Sequence, residues 1–163
     1  MKILLASLLA LCLSACASYY GRGLVPGQAS AAEVEALMGR PAEKITSAAG
    51  ETVWFYPHAP NGRDTFAVRM RPDGVLIAVE QRLTKENAAR VVPGSTTTRE
   101  VRELFGPPWQ IWRASLKQRD VWDYPMLVDN RLMNFYVQFS DDGIVREAYL
   151  LHDPVYDAPD GRG

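Results

Sequence analysis

The chain has 163 residues, with 18 basic and 19 acidic side chains and a formal net charge of −1. That balance lacks the basic excess a nucleic-acid surface needs, so no nucleic-acid partner is expected. With 47% hydrophobic and 10% aromatic residues it has the apolar mass for a packed core, arranged as one domain or two small ones. Two cysteines and two histidines cannot build a Cys/His zinc cluster of the usual kind, and neither a metal nor another cofactor is expected.

The first element is a targeting segment. Lys2 supplies one positive charge, and Ile3 to Leu13 then runs apolar but for Ser7. This is the length of a signal-peptide h-region and falls short of the ~20 residues of a membrane span. The segment ends Leu13-Ser14-Ala15-Cys16, which resembles the lipobox of bacterial lipoprotein signal peptides. The resemblance implies removal of residues 1–15, diacylation of the Cys16 thiol and acylation of its new amino group. Secretion with cleavage near Ala15 or Ala17 is the alternative. Each buried methylene adds about 0.8 kcal/mol, so several acyl chains anchor a protein durably. Ala17, where lipoproteins held at the inner membrane often carry Asp, points to the outer membrane with the chain facing the periplasm. Residues 16–23 form a short tether, and no disulfide is expected, since processing leaves Cys16 as the one cysteine.

The rest is one motif written twice. Val25-Pro26-Gly27 returns as Val92-Pro93-Gly94, Glu33-Val34 as Glu100-Val101, Leu37-Met38-Gly39 as Leu104-Phe105-Gly106 and Pro41 as Pro108, all offset by 67. Trp54 and Tyr56-Pro57 match Trp122 and Tyr124-Pro125 at an offset of 68; Phe66, Val68, Met70 and Asp73-Gly74 match Phe135, Val137, Phe139 and Asp142-Gly143 at 69. The units span 24–83 and 84–152, followed by a polar tail, 153–163, with two prolines that is expected to be disordered.

In each unit Ser30…Glu33 and Thr97…Glu100 are capping boxes that open a short helix. Val34, Leu37 and Met38, and Val101, Leu104 and Phe105, then fall at i, i+3, i+4 and give each helix one apolar stripe. Gly39 and Gly106 are expected to stop the helices as left-handed residues, with Pro41 and Pro108 preventing continuation. Strands are predicted at Glu43–Ser47, Thr52–Tyr56, around Phe66–Met70 and Val75–Arg82, then at Gln110–Ser115, Asp120–Tyr124, around Phe135–Phe139 and Ile144–Leu151. A further short helix is predicted from Thr84 to Arg90. The fold class is therefore α+β, in two tandem units of one or two short helices packed on a three- or four-stranded antiparallel meander.

These residues resemble the SmpA/OmlA family, to which the small lipoprotein of the outer-membrane β-barrel assembly machine belongs. The pattern is carried by Gly27, Ser30, Glu33-Val34, Gly39-Arg40-Pro41, Trp54-Phe55-Tyr56 and Gly74, and again by Gly94, Thr97, Glu100-Val101, Gly106-Pro107-Pro108, Trp122-Asp123-Tyr124 and Gly143. The assembly-machine lipoprotein has one unit; the tandem here is similar in architecture to β-lactamase inhibitor proteins, whose two sheets form one concave protein-binding face. The resemblance implies an envelope protein that works by protein–protein contact, in outer-membrane assembly or integrity, with an inhibitor-type binding module as the alternative. No inhibitory residues carry over.

No catalytic residues are expected. Neither a Gly-rich phosphate loop nor a Gly-x-Ser-x-Gly elbow is present, and His58 and His152 stand apart in a loop and beside the tail. Asp141-Asp142-Gly143 reads as a hairpin turn. Trp54 and Trp122 recur in both units and read as packing, with Gly39 and Gly106. Trp109 and Trp112 occur only in the second unit, where the first has Ala42 and Ile45. Strand residues three apart point to opposite faces, so one of the two is expected on an exposed sheet face near Arg113 and Arg119, or under a neighbouring loop. Trp and Arg are the side chains most enriched at binding hot spots, which makes Trp109, Trp112 and Arg113 the candidate partner-binding residues.

Overall fold

The computed structural model describes residues 20–47 and 49–153. Two sheets of four antiparallel strands, accompanied by a few short helices, give an α+β fold in two units. In the first unit α1 (Ala31–Met38) precedes β1 (Glu43–Thr46), β2 (Thr52–Pro57), β3 (Thr65–Met70) and β4 (Leu76–Gln81). The four-residue α2 (Lys85–Ala88) leads to α3 (Thr98–Phe105), β5 (Gln110–Ala114), β6 (Arg119–Val128), β7 (Arg131–Phe139) and β8 (Val145–His152). Each sheet is a simple meander. No helix among the described residues is long and apolar enough to cross a membrane.

Local chemistry explains why the motif folds the same way twice. The Ser30 and Thr97 hydroxyls accept from the backbone of Glu33 and Glu100, whose carboxylates bond back to the cap residues, so both capping boxes close. The repeated Val-Pro-Gly stretch is a pairing segment: Gly27 N–H donates to Leu76 C=O at 2.8 Å and Gly94 N–H to Val145 C=O at 2.7 Å, which ties each helix entry to the last strand. At the helix exits the buried Tyr56 and Tyr124 hydroxyls each donate to a glycine carbonyl, Gly39 or Gly106, at 3.2 Å. Burial pushes the Tyr56 hydroxyl up to about 12, and Tyr124 upward as well.

Three expectations about these elements need correction. Gly39 and Gly106 do have positive φ, at 81° and 77°, yet their ψ values of −168° and −160° are extended rather than left-handed helical. This region is essentially open to glycine alone, and it turns the chain straight into the sheet rather than curling it past the helix end. The second hairpin is also longer than predicted, because β6 runs on through Pro125 to Val128 and turns at Asp129-Asn130. Pro125 is tolerated there because β5 stops pairing at Asp123: the missing N–H points to the side where β6 has become an edge. The predicted helix 84–90 is shortened to 85–88, capped as expected by Thr84.

Each sheet has a near face toward its own helix and a far face. Val34, Met38, Trp54, Tyr56, Val68 and Met70 close the near face of the first; Val101, Leu104, Phe105, Tyr124, Phe135, Val137 and Phe139 close that of the second. The far face of the first sheet carries Glu43 and its cross-strand partner Phe55, with Ala67 beyond. The second unit's helix covers it. A Cβ on Gly106 would come within 2.5 Å of the Phe55 ring, and Arg102 of α3 donates to both Glu43 oxygens, at 2.8 and 3.1 Å. The layers therefore run helix, sheet, helix, sheet, with β4 and β5 at the edges of separate sheets and not paired with each other. The far face of the second sheet is last in the stack.

Candidate functional site

The far face of the second sheet bears a cleft of about 470 Å³ lined by Trp109, Gln110, Trp112, Asp123, Pro125, Asn134 and Tyr136, with Pro60, Arg63 and Asp153 at its border. Strand alternation selects the wall residues. Gln110 pairs with Asp123, Trp112 with Val121 and Asp123 with Tyr136, so all of them stand on the side away from α3. Trp112 meets Tyr136 edge-on at 5.6 Å, and Tyr136 meets Tyr149 at 5.8 Å, forming an aromatic row across three strands.

Trp109 and Trp112 are 42% and 41% exposed, and both line this one cleft. The alternation argument that set them on opposite faces fails because Trp109 precedes β5, which begins at Gln110. Its N–H donates to the Asp123 carbonyl at 2.9 Å, and outside the strand its side chain is not bound by the pleat. Ala42 makes the same bond to Phe55 in the first unit, also at 2.9 Å, so the two positions correspond in space as they do in sequence.

Arg113 does not join them. It alternates with Trp112 and points to the other side, where it donates to Asp120 at 3.0 Å and to Asp141 at 2.8 Å. Arg119 bonds Glu147 at 2.7 Å. Trp54 is buried with the Lys44 ammonium 3.6 Å from its ring centroid, and Trp122 packs on Phe139 at 4.7 Å. His58 is in a loop, as expected, but its side chain is only 13% exposed: it bonds Asp64 and packs against Tyr20 and Phe66. His152 ends β8 and is exposed. Cys16, the targeting segment and the polar tail beyond Asp153 lie outside the described residues.

The floor of the cleft is a polar network that the sequence reading missed. Asn134 donates to Asp123 Oδ2 at 3.1 Å and to the Tyr136 hydroxyl at 3.2 Å. Arg63, carried by the β2–β3 loop of the first unit, donates to Asn134 Oδ1 at 2.9 Å and to the Met133 carbonyl at 3.3 Å, and pairs with the Asp153 carboxylate. Asp123 is 3% exposed, and its Oδ1 has no hydrogen-bond partner among the described residues. Burial pushes its carboxyl up to about 6; the Asn134 bond opposes the shift, Asp153 adds to it and Arg63 subtracts. A buried carboxylate with a raised pKa and an unfilled oxygen beside half-exposed aromatics makes this cleft the candidate site.

One signal for this network was present in the sequence. Where the first unit reads Trp54-Phe55-Tyr56, the second reads Trp122-Asp123-Tyr124, and Ala67 is answered by Tyr136. Arg63 left no such trace, because it lies 71 positions from Asn134.

No protein-family model matches the chain, and no curated protein matches it either. Among solved structures, a DUF4309 family protein (YjgB) from Bacillus subtilis subsp. subtilis str. 168 is similar over 81% of this chain and 84% of that one, at 14% identity and a TM-score of 0.33. A likeness that loose carries no argument about fold or function.

Proposed function

We propose that the protein is a non-enzymatic envelope lipoprotein, anchored to the outer membrane through acylated Cys16 and facing the periplasm, that docks a partner protein on the far face of its second sheet. The observation that carries this reading is the contrast between the two far faces. The first is covered by α3, which abuts Phe55 and pairs Arg102 with Glu43, whereas the second keeps two tryptophans about two-fifths exposed over a polar floor. Aromatic side chains at a desolvated centre, ringed by polar groups, are the usual anatomy of a binding hot spot. Membership of the SmpA/OmlA family and a part in outer-membrane assembly belong to the same proposal, resting on the repeated motif residues.

The test is capture in intact cells. Trp109→Ala and Trp112→Ala should each lower the crosslinking yield of the partner about thirtyfold or more at limiting concentration, since a hot-spot Trp contributes ~2 kcal/mol. Thermal midpoints should change little. Midpoints that drop while yield per folded molecule stays constant would turn the tryptophans into packing residues. Capture of β-barrel assembly components supports the assembly role; capture of a soluble enzyme would replace it with the inhibitor role. Anchoring is tested separately: Cys16→Ser should leave the protein unprocessed or released, and retention on outer membranes after a salt wash would refute the lipid anchor.

A further inference from the structure

Resting on that docking reading, we propose that the cleft is a receptor for one arginine side chain of the partner, stacked between the Trp109 and Trp112 walls above the Asp123 carboxylate. The walls are the first argument. Trp faces attract cations most strongly among the aromatics, and a planar guanidinium can lie flat on an indole while its edge donates to oxygen.

Charge is the second. Among the described residues that line the cleft, Asp123 and Asp153 are acidic and Arg63 is basic, an excess of one negative charge. An anionic ligand would meet two carboxylates. A neutral one without a donor would leave Asp123 Oδ1 buried and unbonded, and an incompletely satisfied buried charge is costly.

The repeat supplies the third argument. On the covered far face of the first sheet a guanidinium is already seated: Arg102 of α3 forks onto Glu43, beside Phe55. In the second unit Glu43 is answered by Gln110 and Phe55 by Asp123. The carboxylate has moved across one strand while the pair of positions stays the same. A second copy of this chain stacked in the same way is a poor occupant, because Glu35 stands in α1 where Arg102 stands in α3. It would bring a carboxylate to a carboxylate. The occupant is therefore a different protein, with arginine on the docking element.

Asp123 must be ionised to serve, so binding should weaken as pH falls through about 6. The groups that face it are Asn134 and Tyr136 on β7, Asp153 after β8 and Arg63 from the β2–β3 loop.

The experiment titrates N-acetyl-arginine amide, and its neutral isostere N-acetyl-citrulline amide, into the mature acylated protein in detergent micelles. The four indole N–H resonances are followed by NMR and assigned with single Trp→Phe variants. Arginine amide should shift Trp109 and Trp112 saturably and leave Trp54 and Trp122 in place. Citrulline amide should bind about tenfold more weakly, as should Asp123→Asn toward arginine amide. Equal binding of citrulline, or no saturable shift, overturns the proposal; so does an N-acetylglucosamine disaccharide that shifts both indoles where arginine does not. Should Asp123→Asn melt early, the citrulline comparison on the parent protein decides alone. Capture in cells separates the two claims. If Trp109→Ala and Trp112→Ala lose the partner while a folded Asp123→Asn keeps it, docking stands and the arginine receptor falls. If all three keep it, docking itself falls.

Discussion

The two units share their local grammar and differ in what lies against their far faces. In the first, Phe55 is fully buried where the chain of the second unit crosses it, and glycine at position 106 is what allows that approach. In the second, the corresponding position is Asp123, with one oxygen unpartnered, and tryptophans stand where the first has Ala42 and Ile45. A repeat that stacks helix on sheet leaves one sheet face without a successor. Among the described residues no helix packs on that face, and its side chains differ from their counterparts, with Asp123 for Phe55, Tyr136 for Ala67 and Trp112 for Ile45.

Truncation should separate the faces most strongly. Phe55→Ala should destabilise the protein by about 3–5 kcal/mol through the cavity it opens, measured by urea unfolding. Trp112→Ala should lose only ~1 kcal/mol, the worth of its edge contact with Tyr136. Similar losses at the two positions would mean that the second far face is packed like the first.

The paired glycines sharpen the same contrast. Both sit at positive φ with extended ψ, so Gly39→Val and Gly106→Val each bring backbone strain of roughly 1–3 kcal/mol. A Cβ at Gly39 meets nothing within 4 Å, whereas one at Gly106 collides with Phe55. Overpacking adds about 1–3 kcal/mol more, so Gly106→Val should melt well below Gly39→Val. Equal midpoints would show that the units do not abut at Phe55.

Asp123 gives the contrast a pH dependence. Its folded pKa of about 6 lies above the ordinary 3.8, so the folded state holds the proton more tightly than the unfolded. The stability linked to this group is fully present below about pH 4 and is lost as pH rises to about 6, by up to ~3 kcal/mol. Asp123→Asn removes the dependence. Its stability relative to the parent should therefore rise between pH 4 and pH 7.5, and a difference that stays constant would place the carboxylate in water. Phe55, at the matching position, has nothing to titrate.

Much of this was legible in the sequence because it is local. Capping boxes, apolar spacing in the helices, the turn glycines and the 67-to-69 register of the repeat fixed both units and most strand positions. What escaped depends on contacts between units. The register of the repeat says that Ala42 answers Trp109, but not that the first member of the pair lies beside an interface and the second beside a cleft. The pleat rule misjudged Trp109 because a strand that starts one residue later changes which rule governs it. Asp123 was visible as a break in the repeat, and its meaning emerged only with Asn134, Arg63 and the missing hydrogen bond around it.

The most direct test compares the two far faces in the cell with one photo-crosslinking amino acid, placed at Gln110 in one strain, where it lines the cleft and leaves both tryptophans in place, and at the matching Glu43 in another. One discrete product is expected from position 110, lost when Trp109→Ala is added, and none from position 43 beneath α3. A product from position 43, or one from position 110 indifferent to Trp109, would contradict the claim that the partner docks on the far face of the second sheet.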